Sequence, residues 1–116
     1  MQDFRKLRVW QASRELTASV YRVTSTLPSV ERFALSAQMR SAAISISANI
    51  AEGAGRGTKA DSKRCLQIAY GSVSELLCHL IIAGDAGYLN AKQLTALGDA
   101  LENVRRMLAG LMARLK

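Results

Sequence analysis

Apolar residues recur along this chain at the three-and-four step of an α-helix, in four successive blocks. In the first, Val9, Ala12, Leu16, Val20, Val23 and Leu27 keep that step, with Arg14, Glu15 and Arg22 set away from it. The block predicts a helix that runs to about Leu27 and is stopped by Pro28. In the second, Leu35, Met39, Ala42, Ile46, Asn49 and Gly53 share one side, and the flanking positions are almost all Ala or Ser. Ser29 can cap this helix with Glu31 in its first turn, which allows a start as early as Val30 rather than Leu35. Gly53, Gly55 and Gly57 are expected to end it, through the left-handed conformation glycine readily adopts.

Thr58, with Asp61 three residues on, opens a third helix whose main stripe is Cys65, Ala69, Ser72, Leu76, Leu80 and Ala83. Leu66, Val73, Leu77, Ile81 and Ile82 widen that stripe beyond what one neighbour can cover. The excess calls for a second burial surface, supplied by further helices of the same chain or by another subunit. After Gly84 and Gly87, Asn90 with Gln93 makes a box-like cap. The fourth helix then places Leu94, Leu97, Leu101, Val104, Leu108, Leu111 and Leu115 on one seam, the pattern of a bundle core. Four long helices joined by short loops predict an all-α fold, an antiparallel up-down-up-down four-helix bundle, with residues 1–116 forming a single domain. No segment has strand periodicity.

Composition agrees with the pattern. The 116 residues contain one proline, Pro28, and are rich in Ala, Leu and Ser. Cys65 and Cys78 fall on one predicted helix about 20 Å apart, too far for a disulfide. Free thiols and the lack of a charged-then-apolar leader suit a reducing cytoplasm. No uncharged apolar run approaches the roughly 20 residues a bilayer crossing needs. Charge changes the picture more: the formal net charge is +7, with a pI near 10.0. Such a surplus points to an anionic partner, nucleic acid or an acidic membrane surface, or else to a basic surface that only keeps the protein soluble.

Alternating helix direction says where that charge goes. Helix 1 starts, helix 2 ends, helix 3 starts and helix 4 ends at one pole. Arg5, Lys6, Arg8, Arg56, Lys59, Lys63, Arg64, Arg114 and Lys116 belong to it, against Asp3, Glu52 and Asp61. These nine cationic residues are the candidate nucleic-acid-binding set. Glu31, Arg32, Asp85 and Lys92 leave the other pole about neutral. Contacts to the RNA or DNA backbone with little base reading are expected, since Phe4 alone among aromatics sits in the basic arm formed by the first eight residues. Neutralising about six phosphates predicts a log-log salt slope near −5 on a duplex. The competing reading is a structural or protein-binding scaffold with no nucleic-acid role.

Within the second and third helices, Arg40, Asn49, Glu52 and Glu75 form a candidate structural polar network. A hairpin turning near Gly57 brings level those positions whose numbers sum to about 115. Arg40 is then expected opposite Glu75, Glu52 opposite Lys63 and Arg64, and Asn49 near Leu66 and Gln67. Such pairs fix helix register.

The segments DFRKLRVWQASRELT, LSAQMRSAAISISANIAEGAGR, GSVSEL and RRMLAGLMARLK, with SISANIAEG the most specific, resemble the four-helix bundle proteins also called 23S rRNA intervening-sequence proteins. The similarity spans nearly the whole chain. It implies a left-handed four-helix bundle and, in relatives, a ring-shaped homopentamer; some members are encoded within sequences that interrupt large-subunit ribosomal RNA genes. A related branch, the accessory variability protein of diversity-generating retroelements, works with a reverse transcriptase and binds nucleic acid. Relatives commonly carry proline where this chain has Ser47, which retains the backbone donor that proline lacks.

Catalytic chemistry finds no support. His79, the one histidine, follows Cys78 directly, and adjacent helical residues point about 100° apart, so the two do not form a thiolate and imidazole pair. Glu75 is four residues before His79, suited to a weak pair but not to a di-iron Glu-x-x-His motif. The run GAGRGTK lacks both the spacing and the preceding strand of a phosphate-binding loop. No enzyme activity, catalytic residue, metal ligand or cofactor is expected.

Overall fold

Residues 3–115 are described in the computed structural model, and all four blocks become α-helices: α1 Arg8–Thr24, α2 Leu35–Gly55, α3 Lys59–Asp85 and α4 Ala91–Ala113. Single 3-10 turns occupy Phe4–Lys6 and Ser29–Glu31, and no strand occurs among the described residues. Each helix packs on its two chain neighbours, with α4 closing onto α1; the diagonal pairs do not touch. The fold is the four-helix bundle that the periodicity predicts.

Cross-helix contacts give the directions. Ser13 and Thr17 of α1 meet Ser47 and Ala43 of α2, and Thr24 meets Arg40, so numbers rise on one helix as they fall on the other. Ser45 meets Ser72, and Gly53 meets Ser62, between α2 and α3. Tyr70 meets Arg105, and Gly84 packs on Leu94, between α3 and α4. Successive helices are antiparallel. The bundle is about twice as long as it is wide, 43 × 24 × 20 Å, so its ends are well separated.

The seam of α4 enters the core as expected, with Leu97, Leu101, Val104 and Leu108 buried and Leu94, Leu111 and Leu115 packed partly against them. Met39, Ile46 and Ile50 of α2 and Leu76 and Leu80 of α3 fill the opposite side, each 2% exposed or less. Complete burial of such side chains contributes about 1.5–3 kcal/mol apiece. α3 is different. By length and composition alone it is apolar enough to cross a membrane, yet only 33% of its most apolar 18-residue window is buried. Leu66 and Val73 join the core, whereas Ile68, Leu77, Ile81 and Ile82 remain exposed.

The caps divide. Thr58 accepts from the Asp61 N–H at 3.1 Å, and Asn90 with Gln93 forms a full reciprocal box. Ser29 does not cap α2: it lies in the 3-10 turn, and α2 begins five residues later than Val30, at Leu35, without a side-chain cap. α1 likewise stops at Thr24, whose hydroxyl donates back to the Val20 carbonyl. Gly53, Gly55 and Gly57 also act otherwise than expected. None has positive φ; Gly53 and Gly55 lie inside α2, which ends on an extended Arg56. Gly53 instead permits close approach. A Cβ there would sit 3.2 Å from the Ser62 carbonyl oxygen and 3.3 Å from the Cys65 Cβ. Among the described residues left-handed closure occurs once, at Gly87 (φ 81°), where the Tyr88 N–H reaches the Ala83 carbonyl. Cys65 is buried and Cys78 exposed, both as free thiols.

Candidate nucleic-acid interface

Four separate stretches of chain build one pole. Leu7, Gly53, Arg56, Ser62, Leu111 and Leu115 line a common cleft of about 160 Å³, so the start of α1, the end of α2, the start of α3 and the end of α4 converge. Next to it, Lys6, Arg8 and Arg114 border a second hollow with Met107 and Leu111. Lys63 faces Met112 and Ala113 across α3 and α4. Lys59 is the first residue of α3 and Arg64 lies on its second turn. Eight of the nine candidate cations are thereby placed at this pole or within its first two turns; Lys116 lies outside the described residues.

Local ion pairs occupy two of the eight. Arg5 donates to both Asp3 carboxylate oxygens, at 2.9 and 3.1 Å. That contact holds the Asp3 carboxyl below, and the Arg5 guanidinium above, their ordinary pKa ranges. Arg56 pairs with Glu52 one turn before it. Lys6, Arg8, Lys59, Lys63, Arg64 and Arg114 make no ion pair among the described residues. All but the half-buried Lys63 are exposed. Their charge costs little to keep in water and is available to a partner.

The expected polar network is corrected in three places. Arg40 does not meet Glu75. Its Nε donates to the Thr24 hydroxyl at 2.7 Å, its Nη2 reaches the Ser25 hydroxyl, and its guanidinium lies 4.6 Å from the Tyr21 ring centroid. Glu75 is exposed on α3 and pairs with no cation among the described residues. Glu52 prefers Arg56 to Lys63 or Arg64, because an i, i+4 partner needs no tertiary alignment. Asn49 does face α3, but through Ser45: its amide donates to the Ser45 carbonyl and hydroxyl, and the Ser45 and Ser72 hydroxyls bond at 2.8 Å. Ser47 donates to the Ser13 hydroxyl, which in turn donates to the Trp10 carbonyl. Ser47 is thus a hydrogen-bonding link between α1 and α2 in an unbroken helix. His79 makes no bond to Glu75; its Nε2 is buried without a partner.

Pattern reading missed an apolar groove of about 500 Å³ on the α1 and α2 side, lined by Trp10, Ala18 and Tyr21 of α1 and by Ile44, Ala48 and Ala51 of α2. Its signal was present in the outward positions Ala37, Ser41, Ile44, Ala48 and Ala51, which also step by three and four.

No curated protein matches the chain. The solved structure of a protein of unknown function from the S23 ribosomal protein family of Bacteroides thetaiotaomicron superposes with a TM-score of 0.84. It is 22% identical, and the match covers 90% of this chain and 97% of that one. Identity this low shows the fold alone. The family model for 23S rRNA-intervening sequence protein matches residues 5–110. The chain belongs to the 23S rRNA-intervening sequence protein family.

Proposed function

We propose that this protein is a non-enzymatic helical-bundle protein that binds the phosphate backbone of RNA or DNA through its basic pole. The supporting observation is the convergence of Lys6, Arg8, Lys59, Lys63, Arg64 and Arg114, drawn from three helices and the N-terminal arm, without carboxylates paired to them among the described residues. Cationic side chains displayed on exposed helix ends suit phosphate contact and carry little means of reading base edges. The family's name links its members with 23S rRNA, so RNA is the first probe.

The test is fluorescence anisotropy with a short labelled RNA duplex over a series of salt concentrations. Six phosphate contacts predict a log-log slope near −5. A triple variant, Lys59→Gln with Lys63→Gln and Arg64→Gln, removes about one unit of slope per residue, leaving about −2 to −3. Undetectable binding at low salt, or affinity that does not fall with salt, overturns the proposal. The second reading, a protein-binding scaffold, draws on the exposed apolar surface of α3. It predicts a partner chain and no salt-dependent RNA binding.

A further inference from the structure

At the pole away from the basic cluster, the end of α1 and the start of α2 enclose a hollow of about 360 Å³. Its polar lining is Thr24, Ser25, Ser29, Arg32, Ser36 and Arg40, with no carboxylate among the described residues. Glu31, beside Arg32 in the chain, is drawn off by the Tyr88 hydroxyl at 2.9 Å and the Leu35 N–H at 3.4 Å. Arg32 and Arg40 make no ion pair among the described residues. Two guanidinium groups and four hydroxyls thus line one small space without an acidic side chain to balance them.

Arg40 is held in a preset orientation. Thr24 and Ser25 donate their hydroxyl protons to the Val20 and Tyr21 carbonyls, both at 2.8 Å. Their oxygens are thereby left to accept from Arg40, 2.7 Å from Nε and 3.3 Å from Nη2. Nη1 makes no hydrogen bond among the described residues, so its protons remain for a guest.

Ser36 gives an independent sign. It is only 6% exposed, it lines the hollow, and its hydroxyl has no partner among the described residues. A hydroxyl so placed calls for one. Ser36 also belongs to the first turn of α2, which has no side-chain cap. The Ser36 and Ala37 N–H groups of that turn meet no acceptor among the described residues. Open N–H groups, the positive end of a helix dipole and two guanidinium groups all favour the same guest, a compact oxyanion.

We propose that this hollow binds the terminal phosphate of a phosphate monoester, gripped by Arg32, Arg40 and Ser36. A terminal phosphate presents three acceptor oxygens, so each guanidinium and the α2 turn can take one. The diester phosphates of a nucleic-acid backbone offer fewer and fit less well. Thr24 and Ser25 act through Arg40, as positioning residues. The space is larger than a phosphate, so it also admits part of the group that carries it. A soluble phosphorylated compound and a lipid with a monoester headgroup share this chemistry. Val30 and Phe33, 79% and 86% exposed, flank Arg32, whose guanidinium lies 5.2 Å from the Phe33 ring centroid. Both side chains are free to enter an acyl layer if the source is a lipid. The site is at the opposite pole from the RNA interface and stands without it.

The test titrates inorganic phosphate into nitrogen-15-labelled protein at constant ionic strength, following the Ser36 and Ala37 amides and the Arg40 Nε–H by NMR. Saturable shifts at all three are expected. Arg32→Gln should raise the apparent Kd about tenfold and Ser36→Ala about threefold, and neither breaks a hydrogen bond that holds the fold. The triple variant at Lys59, Lys63 and Arg64 should leave these shifts unchanged. A second arm sediments the protein with phosphatidylcholine vesicles containing phosphatidic acid, whose headgroup is a phosphate monoester. Sedimentation that is lost in Arg32→Gln and in Phe33→Ser assigns the group to a lipid; phosphate shifts without such sedimentation assign it to a soluble compound. Absence of saturable shifts at Ser36 overturns the proposal, as do shifts indifferent to both Arg32→Gln and Ser36→Ala. Neither result bears on RNA binding at the basic pole, so the two readings fail separately.

Discussion

The two poles of the bundle are held in contrasting ways. At the near-neutral pole, tertiary hydrogen bonds tie the connections down: the Tyr88 hydroxyl donates to Glu31 at 2.9 Å, joining the stretch between α1 and α2 to the loop between α3 and α4. Arg40 clamps the end of α1, the Asn90 box starts α4, and Leu27 and Leu89 are buried beneath. At the basic pole, ion pairs join residues no more than four apart, and a single tight approach, Gly53 against Ser62, holds α2 to α3. Several tertiary polar contacts fasten one end, while the other has the Ser62 hydroxyl bond to the Gly53 carbonyl and keeps its charged side chains in water, where they add little stability and can serve a partner.

The comparison can be broken most severely at Gly53. Gly53→Val forces a branched side chain against the Ser62 carbonyl and Cys65, and should cost about 2–3 kcal/mol in urea unfolding. A fully stable variant would show that the basic pole has no tight point. Next, Arg40→Met removes charge-assisted bonds to Thr24 and Ser25 and should cost about 1–2 kcal/mol, lessened by the partial exposure of the group. Tyr88→Phe, which deletes one hydroxyl bond, should cost about 1 kcal/mol and speed hydrogen exchange at the start of α4. The triple change at Lys59, Lys63 and Arg64 should leave stability within about 0.5 kcal/mol while weakening RNA binding. A large loss of stability there would erase the distinction between the poles.

Acid gives the smallest effect. Hydrogen bonds from Arg105 hold the Glu102 carboxyl below its ordinary range, as those from Arg5 do for Asp3. A folded pKa below the unfolded value contributes stability at pH above the unfolded value, and that contribution fades as pH falls through the folded one. Both groups are exposed, so Glu102→Gln should flatten the acid limb of a stability profile only slightly.

Helix number, the α4 seam, the Thr58 and Asn90 caps and the level of α2 against α3 were all legible in the sequence, because periodicity and capping are local signals. The pairing of Arg40 with Glu75 failed on azimuth. Level fixes position along the axis only; nine residues at about 100° each put Arg40 half a turn from Asn49, which faces α3. Helix-wheel arithmetic would have sent Arg40 to α1. The glycines misled for a related reason: Gly53 is small because α3 presses on it, and no local rule separates that need from a turn. The gathering of cations at one pole followed from topology. The groove escaped because only one side of α2, from Leu35 to Gly53, stands out as a stripe of larger apolar residues, and Ala48 and Ala51 fall among the small residues flanking it.

The contrast between the thiols gives the molecule two internal chemical clocks. Cys65, pressed under Gly53, can be alkylated only when α2 and α3 separate at the basic pole, so its labelling rate times that opening. Cys78, out on the ridge of α3, is slowed only by whatever covers it. One unlabelled protein and one reagent therefore record breathing and coverage side by side.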